Sequence, residues 1–109
     1  MWTYRNDAEL QDIYQDITGE QPTNNFIRLI SAVVPLFERQ LGYDLDTYEP
    51  KFHQTINYML VYYVRDVIKG RYKSEKIGDY SYTRDTNKDI PEWVPYYKVL
   101  QHVGDYDVT

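Results

Sequence analysis

The chain has 109 residues, of which 42% are hydrophobic, and this length suits one domain with a single core. Its net charge of −5 makes it a poor candidate for gripping a phosphate backbone, and the lack of cysteine excludes disulfides, thiolate catalysis and zinc–thiolate sites. No apolar run reaches the roughly 18 residues that a membrane span needs. The opening stretch, MWTYRNDAEL, also lacks the basic and apolar regions of a signal peptide. We therefore expect an intracellular protein that does not enter a membrane.

Tyrosine is unusually abundant, and the charge is unevenly distributed. The chain has 13 tyrosines against 3 phenylalanines and 2 tryptophans, which fits either half-buried aromatic rims or a large protein–protein contact. Residues 1–50 carry nine acids and three bases (−6), whereas residues 51–109 carry eight acids and nine bases (+1). This asymmetry fits random surface charge, or an acidic surface of one copy facing a basic surface of another.

Two helices are predicted in the first half of the chain. The first spans Asn6 to Ile17, with a capping Asn6 or Asp7 and a stop at Gly19. The second spans Pro22 to Leu41 and ends at Gly42, and its apolar period continues through Pro35, which predicts a kink rather than a break. The apolar positions that define the two helices are Leu10, Ile13, Tyr14 and Ile17, and then Phe26, Ile30, Val33, Phe37 and Leu41.

Residues 43–50 are predicted to form a loop. The alternation of Asp44, Asp46 and Glu49 hints at calcium, but the spacing lacks the glycine and the distal glutamate of an EF-hand loop. Capping and solubility explain these acids better than a metal does.

A long third helix, Lys51 to Tyr72, is the element around which the chain is organised. Apolar residues occupy so much of the helix circumference that we expect the helix to be buried on several sides. Tyr58, Val61 and Tyr62 widen the apolar face, and we expect a neighbouring subunit to cover it. His53 has no second ligand at helical spacing and is interpreted as a surface or capping residue. The cations near the end of the helix suit its dipole or an intersubunit contact, and they are Arg65, Lys69, Arg71, Lys73 and Lys76.

A long connection and a fourth helix complete the chain. Structureless loops as long as residues 74–90 are usually functional or disordered, and Ile77, Tyr80 and Tyr82 could anchor the first half. The fourth helix is predicted from Pro91 to Val103, with Gly104 as its stop and residues 104–109 as a short acidic arm. The pattern therefore predicts an all-α, small antiparallel bundle of about four helices.

No motif of a known catalyst is present. The chain has no P-loop, HExxH, nucleophile elbow or Rossmann glycine pattern, and its two histidines lie far apart. The stretch RDVIKGRYKSEK is the only basic segment with an interleaved aromatic residue, and no helix-turn-helix surrounds it. We therefore expect no enzyme activity, no cofactor, no metal and no sequence-specific DNA binding.

The segment after the third helix carries a more specific signal. Residues 74–81 read SEKIGDYS, and this stretch resembles the S-E-x-I-G-D-Y-S stretch of the head–tail connector (adaptor, or head-completion) proteins of long-tailed bacteriophages and prophages. The order of elements is also similar, with a Gly-aromatic pair (Gly42-Tyr43) after the second helix. The resemblance covers roughly residues 6–103. The polar RDTNKD insertion and the tyrosine-rich third helix depart from the family's pattern.

The resemblance implies a structural role in the virion, at the head–tail interface, after synthesis in the host cytoplasm. Such proteins form a ring, typically dodecameric, between the portal protein and the next connector or the tail, and DNA passes through without sequence recognition. The residues that the resemblance and the charge pattern assign to subunit or partner contacts are Ser74, Glu75, Ile77, Gly78, Asp79, Tyr80, Ser81, Tyr82, Arg65, Lys69, Arg71 and Tyr106.

Two alternative functions stay open at this point. The chain could be a monomeric intracellular adaptor that binds one other protein, or an enzyme whose site is built only from carboxylates and tyrosines. Ring assembly, or co-purification with a portal protein, separates the connector from the adaptor. A pocket of carboxylates with displaced pKa values would favour the enzyme. A second hypothesis within the connector function is that the C-terminal arm docks on the portal.

Overall fold

Four α-helices and two short 3₁₀ turns form the part of the chain that the computed structural model describes, residues 1–69 and 90–108, with side chains described as far as residue 103. The helices are α1 (Asp7–Thr18), α2 (Phe26–Leu41), α3 (His53–Ile68) and α4 (Trp93–Val108), and the 3₁₀ turns cover Leu45–Thr47 and Pro50–Phe52. No strand occurs within those ranges. The predicted all-α class is confirmed.

The third helix is the centre of the bundle. Helix α3 packs against α1, α2 and α4, and its most extensive contact is with α4. Its buried residues lie on several sides, and Met59, Leu60, Val61 and Val64 are fully buried. A helix that is apolar over much of its girth must be covered on more than one face, which explains why three helices surround it.

Helix ends in the first half follow local chemistry. The Asn6 side chain accepts a hydrogen bond from the Glu9 amide at 3.1 Å and so caps α1. Gly19 and Gly42 take positive φ angles of 72° and 81°, and each donates its amide proton to a carbonyl of the helix that it ends. Glycine adopts this left-handed conformation without a steric penalty, so these two predicted stops are confirmed.

Several predicted boundaries are wrong by a few residues. Helix α2 begins at Phe26 rather than Pro22, because Asn24 and Asn25 form a turn before the apolar stripe starts. It continues unbroken through Pro35, as expected. Helix α3 begins at His53 rather than Lys51, after a 3₁₀ turn. Its predicted end at Tyr72 lies outside the described residues.

The fourth helix differs at both ends. It begins at Trp93 rather than Pro91, since Pro91 belongs to a preceding turn in which the Val94 amide donates to the Pro91 carbonyl at 3.2 Å. It runs through Gly104 to Val108, so residues 104–108 are helical and not an irregular arm. A helical glycine costs only about 1 kcal/mol relative to alanine, which weakens a helix without ending it.

Candidate interaction surface

Only two of the twelve residues predicted for subunit contacts have described side chains. They are Arg65, near the end of α3, and Lys69, which follows the helix. Tyr106 lies in α4, but its side chain is outside the described part. The remaining nine also lie outside the described residues: Arg71, Ser74, Glu75, Ile77, Gly78, Asp79, Tyr80, Ser81 and Tyr82.

Arg65 joins α3 to the start of α4. Its Nη2 atom lies 2.9 Å from Asp66 Oδ1 and 2.5 Å from Glu92 Oε1, and the side chain is only 12% exposed. Burial alone would lower the pKa of the Arg65 guanidinium, but hydrogen bonds to Asp66 and Glu92 outweigh that effect and raise it. Arg65 therefore stays charged and forms its ion pairs within its own chain.

Asp66 was not singled out by sequence reasoning, although its side chain is completely buried. Both Nε and Nη2 of Arg65 donate to its Oδ1 atom, at 3.1 and 2.9 Å. Two such charge-assisted bonds from one guanidinium offset part of the cost of burying a carboxylate. A charged residue inside the apolar pattern of the third helix was the signal that could have identified it.

Lys69 also has an acidic partner in its own chain. Its Nζ atom lies 3.1 Å from Glu20 Oε1, which ties the end of α3 to the segment after α1. Both groups are substantially exposed, and such surface pairs typically contribute about 0–1 kcal/mol. Arg65 and Lys69 are therefore both paired with acids of their own chain.

Three tyrosines form a stacked cluster, here called the tyrosine ladder, consisting of Tyr58, Tyr62 and Tyr96. Tyr58 and Tyr62 are one helical turn apart on α3, and the Tyr96 ring of α4 stacks on both, with centroids 5.9 and 5.8 Å away. All three rings are half-buried. Arg65 adds a cation over the Tyr62 ring at 5.1 Å. The ladder thus gives the α3–α4 groove a half-exposed aromatic edge.

The ladder predicts a raised tyrosine pKa. Burial, followed by the nearby Tyr96 and Glu92, raises the pKa of Tyr62 above its ordinary 10.0. Because the folded state holds this proton more tightly than the unfolded chain, the corresponding stability is present below pH 10 and is lost as the pH rises through the folded pKa. NMR titration of ring-labelled tyrosine should therefore show a late-ionising signal that disappears in Tyr62→Phe. If Tyr62→Phe removed no late-ionising signal, the assignment would be wrong.

The N-terminal segment, residues 1–5, was given no structural role by sequence reasoning, yet it is fastened to the bundle. Trp2 is 5% exposed, and its Nε1 donates to Asn57 Oδ1 of α3 at 3.0 Å. The amide and hydroxyl of Thr3 both donate to the Asp46 carboxylate, at 2.9 and 2.8 Å. The terminal ammonium pairs with Glu38. The available signal was Trp2 itself, since so large a ring is seldom left in water.

The acids of residues 43–50 act as caps and anchors. Asp44 Oδ1 accepts a hydrogen bond from the Asp46 amide at 2.9 Å and so caps the first 3₁₀ turn, as predicted. This bond, followed by one from the terminal ammonium, lowers the pKa of Asp44 below its ordinary 3.8. Among the described residues, no three acids or histidines are grouped so as to hold a metal ion.

His53, predicted to be a surface or capping residue, is half-buried and caps the second 3₁₀ turn, where its amide donates to the Pro50 carbonyl. Its ring lies against Trp2 and Tyr4, with centroids 4.9 and 4.7 Å away, and its buried Nε2 has no hydrogen-bond partner among the described residues. The docked N-terminal segment, which sequence periodicity did not reveal, covers this ring.

Comparison with protein families, with curated proteins and with solved structures finds no match to this chain. No helix within the described ranges is long and apolar enough to cross a membrane. The connector resemblance therefore rests on the residues quoted for it.

Proposed function

We propose that this protein is a structural virion protein that forms a ring between portal and tail, extends the DNA channel and joins head to tail. The observation that carries the proposal is the SEKIGDYS segment at residues 74–81, placed after the longest predicted helix. The fold supports the proposal in general terms, since the chain forms an all-α bundle whose third helix is the central element. We propose no catalytic role and no cofactor.

The surface of the bundle carries half-exposed aromatic residues that are suited to subunit contacts. The half-buried tyrosine ladder supplies rings with a polar tip, a residue type enriched in protein–protein interfaces. The core beneath it is closed within one chain, and Phe26, Phe37 and Trp93 are fully buried. A self-contained core with an aromatic edge suits a subunit that folds first and assembles afterwards.

The acidic character of the chain also fits a channel for DNA. With a net charge of −5, the protein would not attract phosphates along a lining, so DNA could slide past without being held. Ring closure requires that one patch of each copy binds a different patch of the next.

Assembly in the presence of a phage portal protein tests the proposal. We expect negative-stain electron microscopy to show rings of this protein on the portal, and the two proteins to co-purify. A protein that stays monomeric and does not bind the portal, even at high concentration, would contradict the connector function. Monomeric binding to one other protein would favour the adaptor instead.

The anchoring residues of the motif are tested separately. We expect the Ile77→Ala, Tyr80→Ala double variant to keep the far-ultraviolet circular dichroism of the parent and to lose ring formation. The matched control is the Ile90→Ala, Tyr4→Ala double variant, which removes an exposed residue of each kind outside the motif. If the motif variant unfolds as a monomer, the segment instead secures its own domain. Equal ring formation by both variants would remove these residues from the interface.

A further inference from the structure

A stripe of exposed residues runs along α2 on the side opposite the core. Arg28, Ala32, Pro35 and Arg39 are spaced by four, three and four residues, so all of them lie on one face. The buried residues of the same helix, such as Ile30, Val33 and Phe37, occupy the opposite face. This basic stripe places two guanidiniums about 16 Å apart along the helix axis, with two small residues between them.

The two arginines of the basic stripe lack partners in the described part of the chain. Neither Arg28 nor Arg39 has an ion pair or a hydrogen bond to another described residue. Arg5, Lys51, Arg65 and Lys69, in contrast, each pair with an acid of the same chain. The basic stripe is therefore the cationic surface that the described fold leaves unpaired.

Helix α1 carries a complementary acidic ridge. Glu9, Asp12 and Asp16 are three and four residues apart; Asp12 and Asp16 lie on the exposed side of the helix, and Glu9 is half-buried at its edge. Asp12 and Asp16 are exposed, and neither carboxylate has an ion pair with a described residue. The ridge spans about 10 Å along the helix, so long arginine side chains at the two ends of the basic stripe could converge on it.

We infer that the basic stripe of α2 in one copy binds the acidic ridge of α1 in the next copy. The inference rests on the proposed ring function, because a ring needs two different, complementary patches on each subunit. It replaces Arg65 and Lys69 as the basic partner, since these two already pair with Glu92 and Glu20. Ala32 and Pro35 are small enough for two helices to approach closely.

The charges at this contact determine how two copies orient more than how tightly they bind. Exposed ion pairs contribute little to affinity, whereas like charges brought face to face oppose binding strongly. Reversing one stripe should therefore prevent assembly far more effectively than neutralising it.

A charge-reversal exchange tests the inference. One variant carries Arg28→Glu and Arg39→Glu, and the other carries Asp12→Lys and Asp16→Lys. Each variant alone should need a protein concentration at least about tenfold higher than the parent needs to assemble, because like charges then meet. An equimolar mixture should recover assembly with the two variants in a one-to-one ratio. A single variant, Arg39→Glu, has a matched control in Lys51→Glu, which changes the net charge by the same amount outside the stripe. The control should assemble normally. Far-ultraviolet circular dichroism checks folding.

The outcomes separate the inference from the function. If the parent and the arginine-reversed variant form rings at the same concentration, the stripe contact is wrong and the ring stands. If the parent forms no ring on the portal but the mixed variants associate as one-to-one dimers by sedimentation velocity, the stripe contact stands and the ring is wrong. If the mixed variants associate no better than each alone, the inference is overturned.

Discussion

We expect the Trp93→Ala variant to lose about 3–5 kcal/mol of unfolding free energy. Trp93 is completely buried at the start of α4. Its ring contacts Tyr63 of α3 at 5.3 Å, Phe37 of α2 at 5.6 Å and Tyr97 at 5.8 Å. Removing the ring leaves a cavity where three helices meet, and the remaining rings cannot collapse to fill it without moving the helices. A small domain is stable by only about 5–15 kcal/mol, so this loss is a large part of the total.

Urea denaturation followed by far-ultraviolet circular dichroism measures the effect. Trp93→Phe keeps an aromatic ring in the site and should cost less than about 2 kcal/mol. Val99→Ala, at a position 45% exposed on the same helix, should change stability by less than about 0.5 kcal/mol. If Trp93→Ala behaved like Val99→Ala, the packing of α4 against the bundle would be wrong.

We expect the Trp2→Ala variant to lose about 3 kcal/mol, close to the effect at Trp93. The ring is 5% exposed, and its Nε1 donates to the buried Asn57 side chain. Alanine removes the apolar contact and also leaves the Asn57 oxygen without this donor. An unsatisfied buried acceptor costs about 1–3 kcal/mol by itself.

Two further variants divide this effect into packing and hydrogen bonding. Trp2→Phe keeps much of the ring but leaves Asn57 without its donor, so we expect a loss of about 1–3 kcal/mol. Adding Asn57→Leu removes the unsatisfied polar group, and the double variant should recover part of that loss. Chemical denaturation of the parent, Trp2→Phe, Asn57→Leu and the double variant measures the coupling between the two side chains. A loss below about 1 kcal/mol in Trp2→Ala would show that the N-terminal segment does not dock in solution.

Local signals predicted the helices of the first half well. Asn6, Gly19 and Gly42 act through bonds within a few residues of themselves, so their capping roles could be recognised without any tertiary information. Boundaries were less accurate at Pro22, Pro91 and Gly104, which were interpreted as the start or end of a helix. Helix α4 passes Gly104 and begins after Pro91, because these residues weaken or shift a helix end without determining it.

The candidate surface could be predicted only in part. Tyr58 and Tyr62 were expected to extend the apolar face of the third helix, and both are half-buried. Their stacking with Tyr96 depends on how α3 and α4 pack, which periodicity does not specify. Arg65 and Lys69 were assigned to contacts with other subunits or to the helix dipole. Their acidic partners in the same chain became evident only once the helices were placed.

The amino-acid pattern by itself determined that this chain forms helices, where two of them stop and which of their faces are apolar, because these properties depend on neighbours within one or two turns. Tertiary structure alone decided that Trp2 enters the core, that Asp66 is buried beside Arg65 and that Arg28 and Arg39 remain unpaired among the described residues. Trp2 and Asn57 are 55 positions apart. Contacts over such separations depend on how the helices pack together, and no local pattern records that.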